Sequence, residues 1–81
     1  MNSQVREIIA RTVELPGGVD GLVDTSDLYE AGMTSFGSVQ LMLALEEAFE
    51  VEFPDNMMNR RNFASVAAIE NAIRTIQSEH V

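Results

Sequence analysis

The chain has 81 residues, with thirteen acidic side chains against five basic ones, for a formal net charge of −8. That length supports one small domain, residues 1–81, and an apolar content of 46% argues for a modest core rather than disorder. The sign of the charge disfavours phosphate-mediated nucleic-acid binding and adsorption to an anionic membrane; it suits either protein partners with basic patches or plain solubility.

All five basic residues are arginine, and there is no cysteine. Disulfides, thiol redox chemistry and thiolate metal sites are therefore ruled out. No apolar run is long enough to span a bilayer, and Met1-Asn2-Ser3-Gln4-Val5-Arg6 lacks the layout of a signal peptide. A cytoplasmic monomer is the expectation.

In chain order, residues from Ser3 to Glu14 read as a first helix, with Val5, Ile8, Ile9, Thr12 and Val13 on one face. Ser3 is placed to cap its start, and Pro16-Gly17-Gly18 to end it. A long connection follows, from Pro16 to Thr34. Its apolar residues Val19, Leu22, Val23, Leu28 and Tyr29 imply a loop that packs down rather than one that is free, and a single helical turn is expected across Asp27 to Glu30. A second helix runs from Ser35 or Phe36 to Glu50. Val51 to Asp55 alternates like extended chain, a short third helix falls around Asn59 to Phe63, and a last helix begins near Ser65 with Val66, Ile69, Ile73 and Ile76 buried. The predicted fold is all-α: a small four-helix bundle with a long loop between helices 1 and 2 and a short third helix.

The second helix is apolar on two sides. At about 100° per residue, Leu41, Met42, Leu45 and Phe49 form one stripe, while Phe36, Val39 and Leu43 lie roughly opposite, among Gln40, Glu46, Glu47 and Glu50. Either the second stripe is a docking surface edged by carboxylates, or the long loop folds over part of it. On the latter reading Phe36 is the residue most readily covered.

Catalytic constellations are missing. The single histidine, His80, stands beside the C-terminus, where fraying is expected. No base exists to activate a serine, and Met33 takes the first glycine position of a G-x-S-x-G elbow. With no lysine there is no phosphate-binding P-loop, and Asp20, Asp24, Asp27 and Glu30 lack calcium-loop spacing. Glu46 and Glu47, adjacent on a helix, suit a solvated or docking face, and Met57-Met58 suits flexible core filling. Ser35 remains, at the junction of loop and second helix. It is either an ordinary helix cap or a hydroxyl offered for modification at a terminus that favours an attached phosphate.

The stretch Asp27-Leu28-Tyr29-Glu30-Ala31-Gly32-Met33-Thr34-Ser35-Phe36 resembles the loop of the acyl carrier protein family that ends in Asp-Ser-Leu before the second helix. Val39 to Phe49 and Val51-Glu52-Phe53-Pro54-Asp55 continue the resemblance, which covers nearly the whole chain. It implies a carrier, itself not an enzyme, with 4′-phosphopantetheine on Ser35. A magnesium-dependent phosphopantetheinyl transferase would install the group from coenzyme A, and its thiol would hold an acyl or aminoacyl group as a thioester. It also implies a partner face of Thr34, Phe36, Val39, Gln40, Leu43, Glu46 and Glu47, with Arg60 and Arg61 as further contacts or simply solvated arginines. The family often has aspartate before the modified serine, and this chain has Thr34. Together with Phe-Pro-Asp-Asn-Met-Met-Asn-Arg, that resembles specialised stand-alone carriers, in particular aminoacyl carrier proteins. Those are loaded by amino acid:carrier protein ligases related to the catalytic core of seryl-tRNA synthetases and serve downstream transferases. The alternatives are an acyl carrier for specialised fatty-acid or polyketide-type synthesis, or an unloaded carrier-like interaction module.

Overall fold

The computed structural model describes residues 2–13, 15–19 and 21–79; Glu14, Asp20 and His80, which figure in the sequence reading, lie outside them. Helix α1 (Asn2–Thr12) buries Val5, Ile8 and Ile9, the i, i+3, i+4 set that defines one face. The Thr12 hydroxyl donates to the Ile8 carbonyl (2.8 Å), and Val13 closes the face just past the helix. Helix α4 (Val66–Glu79) presents Val66, Ile69, Ala72, Ile73 and Ile76, and the Ser65 hydroxyl accepts from Ala68 N–H (3.1 Å) at its start. Between them stand the short helix α2 (Leu28–Ala31) and the long helix α3 (Ser35–Phe49). Helix α1 packs on both α3 and α4.

The expected third helix is a 3-10 turn, Arg60–Phe63, preceded by another at Asp55–Met57. Its bonds run i to i+3, with Asn62 N–H donating to the Asn59 carbonyl (3.2 Å) and Ala64 N–H to the Arg61 carbonyl (3.4 Å). Asn59 caps the turn by accepting from Asn62 N–H (3.0 Å). That turn packs against α4, and Phe63 meets Phe53 edge-on with ring centroids 5.2 Å apart. The helical turn expected inside the loop is α2, capped by Asp27, whose carboxylate accepts from Tyr29 N–H (2.8 Å). No strand occurs among the described residues.

The long loop is tied at several points. Arg6, on α1, reaches out to donate to the Leu22 carbonyl (2.8 Å) and pairs with Asp24 at 2.7 Å. Ala67 N–H donates to the Asp24 carbonyl (2.9 Å), and Leu28 N–H donates to the Ala64 carbonyl (2.7 Å). These bonds give buried backbone groups partners that an unstructured loop would lack. At the exit, Gly32 adopts φ 125°, and a Cβ there would stand 2.8 Å from Pro16 Cδ. Both the conformation and the space require glycine.

Gly32→Ala should therefore lose roughly 1–3 kcal/mol in chemical denaturation. Gly17→Ala, where a Cβ meets nothing within 4 Å, should stay within about 0.5 kcal/mol of the parent or slightly above it. Equal losses at the two sites would contradict this account of the loop.

Candidate functional site

Met33, buried, anchors the chain as it leaves Gly32. The next residue, Thr34, is extended (φ −90°, ψ 167°) and its hydroxyl accepts from Gly37 N–H at 2.9 Å. Thr34 is thus the cap of α3, and the reading of Ser35 as the cap is corrected. The reason is one residue of register: the turn after Gly32 brings the last extended residue to position 34, so helical geometry begins at Ser35. Ser35 is exposed, and its hydroxyl forms no hydrogen bond among the described residues; its carbonyl accepts from the Ser38 hydroxyl (2.7 Å).

Gly37 explains the direction in which Ser35 faces. A Cβ at Gly37 would lie 3.3 Å from the Thr34 hydroxyl, 3.7 Å from Met33 and 3.8 Å from Val13. The first turn of α3 therefore lies close against the end of α1. Two residues correspond to about 200° around a helix, so the side opposite Gly37 carries Ser35 outward.

Farther along α3, only Gly37, Leu41 and Leu45 are buried, while Met42 and Phe49 are half-buried. Phe36, Val39 and Leu43 are 73, 50 and 56% exposed. The second apolar stripe is thus open. Phe36, the residue most readily covered had the loop folded over this stripe, is the most exposed large apolar side chain among those described. The loop's hydrogen bonds run to α1, to Ala64 and to α4, which carries it away from that end of α3. Gln40 and Glu47 are exposed on the same helix. Glu46 is half-buried, and its carboxylate accepts from Phe53 N–H (2.9 Å). It thereby fixes the chain after the left-handed Glu50 (φ 53°).

One feature escaped sequence reasoning. A groove of about 310 Å³ runs beside Ser35, with Val39 and Met42 from α3, Tyr29 from α2, and Met58, Arg60 and Phe63 from the segment before α4. The Arg60 guanidinium lies over the Tyr29 ring, 4.2 Å from its centroid. Those residues are 31 apart in sequence, and nothing in the local pattern links them. Met58, expected as core filling, is 44% exposed on this groove, whereas Met57 does pack against the core. Arg61 is exposed. On the other side of the α3 N-terminus, a cleft of about 770 Å³ is lined by Arg11, Thr34, Phe36 and Gln40. Among the described residues no group of three or more metal-ligating side chains occurs, and no helix is long and apolar enough to cross a membrane.

An unengaged hydroxyl in the first turn of a helix, with an apolar groove on one side and an exposed apolar stripe downstream, defines a small helical carrier domain. The residues fit a phosphopantetheine group: the hydroxyl is accessible and free to form a phosphodiester. Thr34 takes only the Gly37 amide, which leaves the earlier amides of the helix start facing the substituent. Residues 3–73 match the family described as phosphopantetheine attachment site. The chain belongs to this family, whose prosthetic group is 4′-phosphopantetheine. It is 55% identical over 76 residues to the aminoacyl carrier protein of Agrobacterium fabrum, covering 94% of this chain and 92% of that protein. It is also similar to the Agrobacterium tumefaciens carrier protein seen in complex with an engineered Bradyrhizobium japonicum glycine:carrier protein ligase and AMP: 55% identity, TM-score 0.89, 91% of this chain and 99% of that one. A glycylated carrier protein bound to the B. japonicum ligase aligns at 25% identity with TM-score 0.75, covering 88% of this chain and 95% of the other.

The corrected cap has a direct consequence. Thr34→Ala should cost about 1 kcal/mol of stability, whereas Ser35→Ala should change it by less than about 0.5 kcal/mol. Thermal or urea unfolding of the two variants reads the difference, and the reverse order would return the cap to Ser35.

Proposed function

We propose that Ser35 carries 4′-phosphopantetheine and that residues 1–81 work as one aminoacyl carrier, loaded by an amino acid:carrier protein ligase. The observation that carries this reading is the pairing of a free, exposed Ser35 hydroxyl with 55% identity to an aminoacyl carrier protein across nearly the full chain. The ligase-bound carriers support the choice of loading enzyme. When attached, the group supplies the thiol that a cysteine-free chain lacks.

This chain's own part is presentation rather than catalysis. Thr34 holds the first turn of α3, and that turn holds the attachment oxygen at the surface. Phe36, Val39 and Leu43 offer apolar area to an incoming enzyme, with Gln40 and Glu47 beside them. A rim of carboxylates on a protein of charge −8 selects partners whose docking patch is apolar at the centre and basic at the edge. Glu46 contributes to that field while holding Phe53. A transferase using coenzyme A and magnesium, the ligase and downstream acceptor enzymes would meet the same surface in turn, in a cytoplasmic setting.

Incubation with coenzyme A, magnesium and a phosphopantetheinyl transferase should add one phosphopantetheinyl mass to the intact protein. Ser35→Ala should abolish the addition. Mass gain that survives Ser35→Ala would defeat the assignment, and a chain that no transferase modifies would be an interaction module only. Leu43→Glu, at an exposed position, should leave unfolding within about 0.5 kcal/mol yet weaken ligase binding at least about tenfold by calorimetry.

A further inference from the structure

The arginines of this chain are not employed alike. Arg6 pairs with Asp24 at 2.7 Å, and Arg74 lies 3.7 Å from Glu70. Arg11, Arg60 and Arg61 are exposed and form no ion pair among the described residues. Of these three, Arg60 is the one held against a ring, with its guanidinium 4.2 Å from the Tyr29 centroid. It is also the one that shares a groove with Ser35, and no lining residue of that groove is acidic. Attraction to a ring leaves a guanidinium's charge uncancelled and N–H donors to spare. Arg60 is thus a placed positive charge without a carboxylate, in a chain whose net charge is −8.

We propose that Arg60 is the counter-ion of the phosphodiester formed when Ser35 is modified. The proposal rests on attachment at Ser35, and it concerns the root of the arm rather than the group at its end. Attachment replaces a neutral hydroxyl with an anionic phosphodiester whose unesterified oxygens accept hydrogen bonds. On an acidic chain that added charge is unfavourable unless a cation stands near. Arginine suits the task, because its charge persists at every working pH and its fork of donors matches phosphate oxygens. Tyr29 is the positioning residue. Its ring restricts a long side chain in advance, so less rotamer freedom is lost when the pair forms. Arg11 lines the cleft on the other side of the α3 start, which Ser35 does not line, and Arg61 lines neither space. The root of the arm is thereby drawn to the groove side of Ser35 and away from the cleft that Phe36 lines.

The test compares unmodified and phosphopantetheinylated full-length protein at low ionic strength, with each form confirmed by intact mass. Thermal midpoints are read for the parent and for Arg60→Gln, Arg11→Gln and Arg61→Gln, every variant against its own unmodified form. The change on attachment should be about 2–4 °C less favourable in Arg60→Gln than in the parent. In about 1 M salt that difference should vanish. Arg11→Gln and Arg61→Gln remove the same charge elsewhere and should match the parent within about 1 °C. Tyr29→Phe, which keeps the ring, should behave as the parent, and Tyr29→Leu should lose at least about half of the effect. In the parent, the Arg60 Nε–Hε resonance should move on attachment; this reading needs no variant, so it decides the matter even where a transferase refuses one. An equal change in parent and Arg60→Gln, the same loss in Arg11→Gln or Arg61→Gln, or an unmoved Nε–Hε resonance would each overturn the pairing while leaving attachment intact. Failure of the arm to attach at Ser35 of the parent would overturn both readings.

Discussion

Pro16 packs into the space where a side chain at residue 32 would stand, and the fold around α3 depends on that contact. Gly32 can accept it because it has no Cβ and tolerates φ 125°. The contact pins the two ends of the long loop together. Met33 then drops into the core, Thr34 becomes the cap, and the helix starts one residue later. Each step follows from the previous one by chain geometry, and the last of them sets the Ser35 hydroxyl at the surface without a hydrogen-bond partner among the described residues. A shift of one residue in that sequence would have given the capping role to Ser35 and tied up the oxygen that the proposed chemistry uses.

Helix α3 serves two surfaces with little material. Its inward side consists of a glycine and two leucines, Gly37, Leu41 and Leu45, spaced four apart. That narrow stripe suffices because α1 approaches closely at Gly37. Close approach frees the remaining circumference for Phe36, Val39 and Leu43. Exposing three large apolar side chains costs a small protein some solubility, and the acidic surface offsets it through net charge. The same charge biases which partners can approach. Stability is thus met by one narrow side of α3, and the rest of the helix is left open for the proposed docking.

The helices were legible in the sequence wherever burial was periodic. Val5, Ile8 and Ile9 in α1 and Val66, Ile69, Ile73 and Ile76 in α4 announce their faces, because each helix is apolar on one side only. The opposed stripes of α3 were legible from the same helical spacing, although that helix is apolar on two sides. The loop was legible in kind but not in path. Its apolar residues implied packing, yet the bonds from Arg6 to Leu22 and Asp24, and from Ala67 to Asp24, join segments far apart in the chain. Because the path was not legible, neither was the exposure of Phe36. The short third helix was legible in place but not in type, since four residues carry too little periodicity to separate a 3-10 turn from an α-helix.

By itself the sequence determined the class of the molecule. Apolar spacing made it all-helical, acidity disfavoured nucleic-acid and anionic-membrane partners, and the run through Thr34-Ser35-Phe36 marked the residue to watch. These are local properties, carried by composition and by neighbours within a few turns. Only the tertiary structure decided which of two adjacent hydroxyls caps α3, which apolar side chains stay open, and that Arg60 lies on Tyr29 in the groove that Ser35 lines. Those outcomes depend on where distant segments meet, and a meeting between Pro16 and Gly32, or between Tyr29 and Arg60, leaves no trace in the spacing of either.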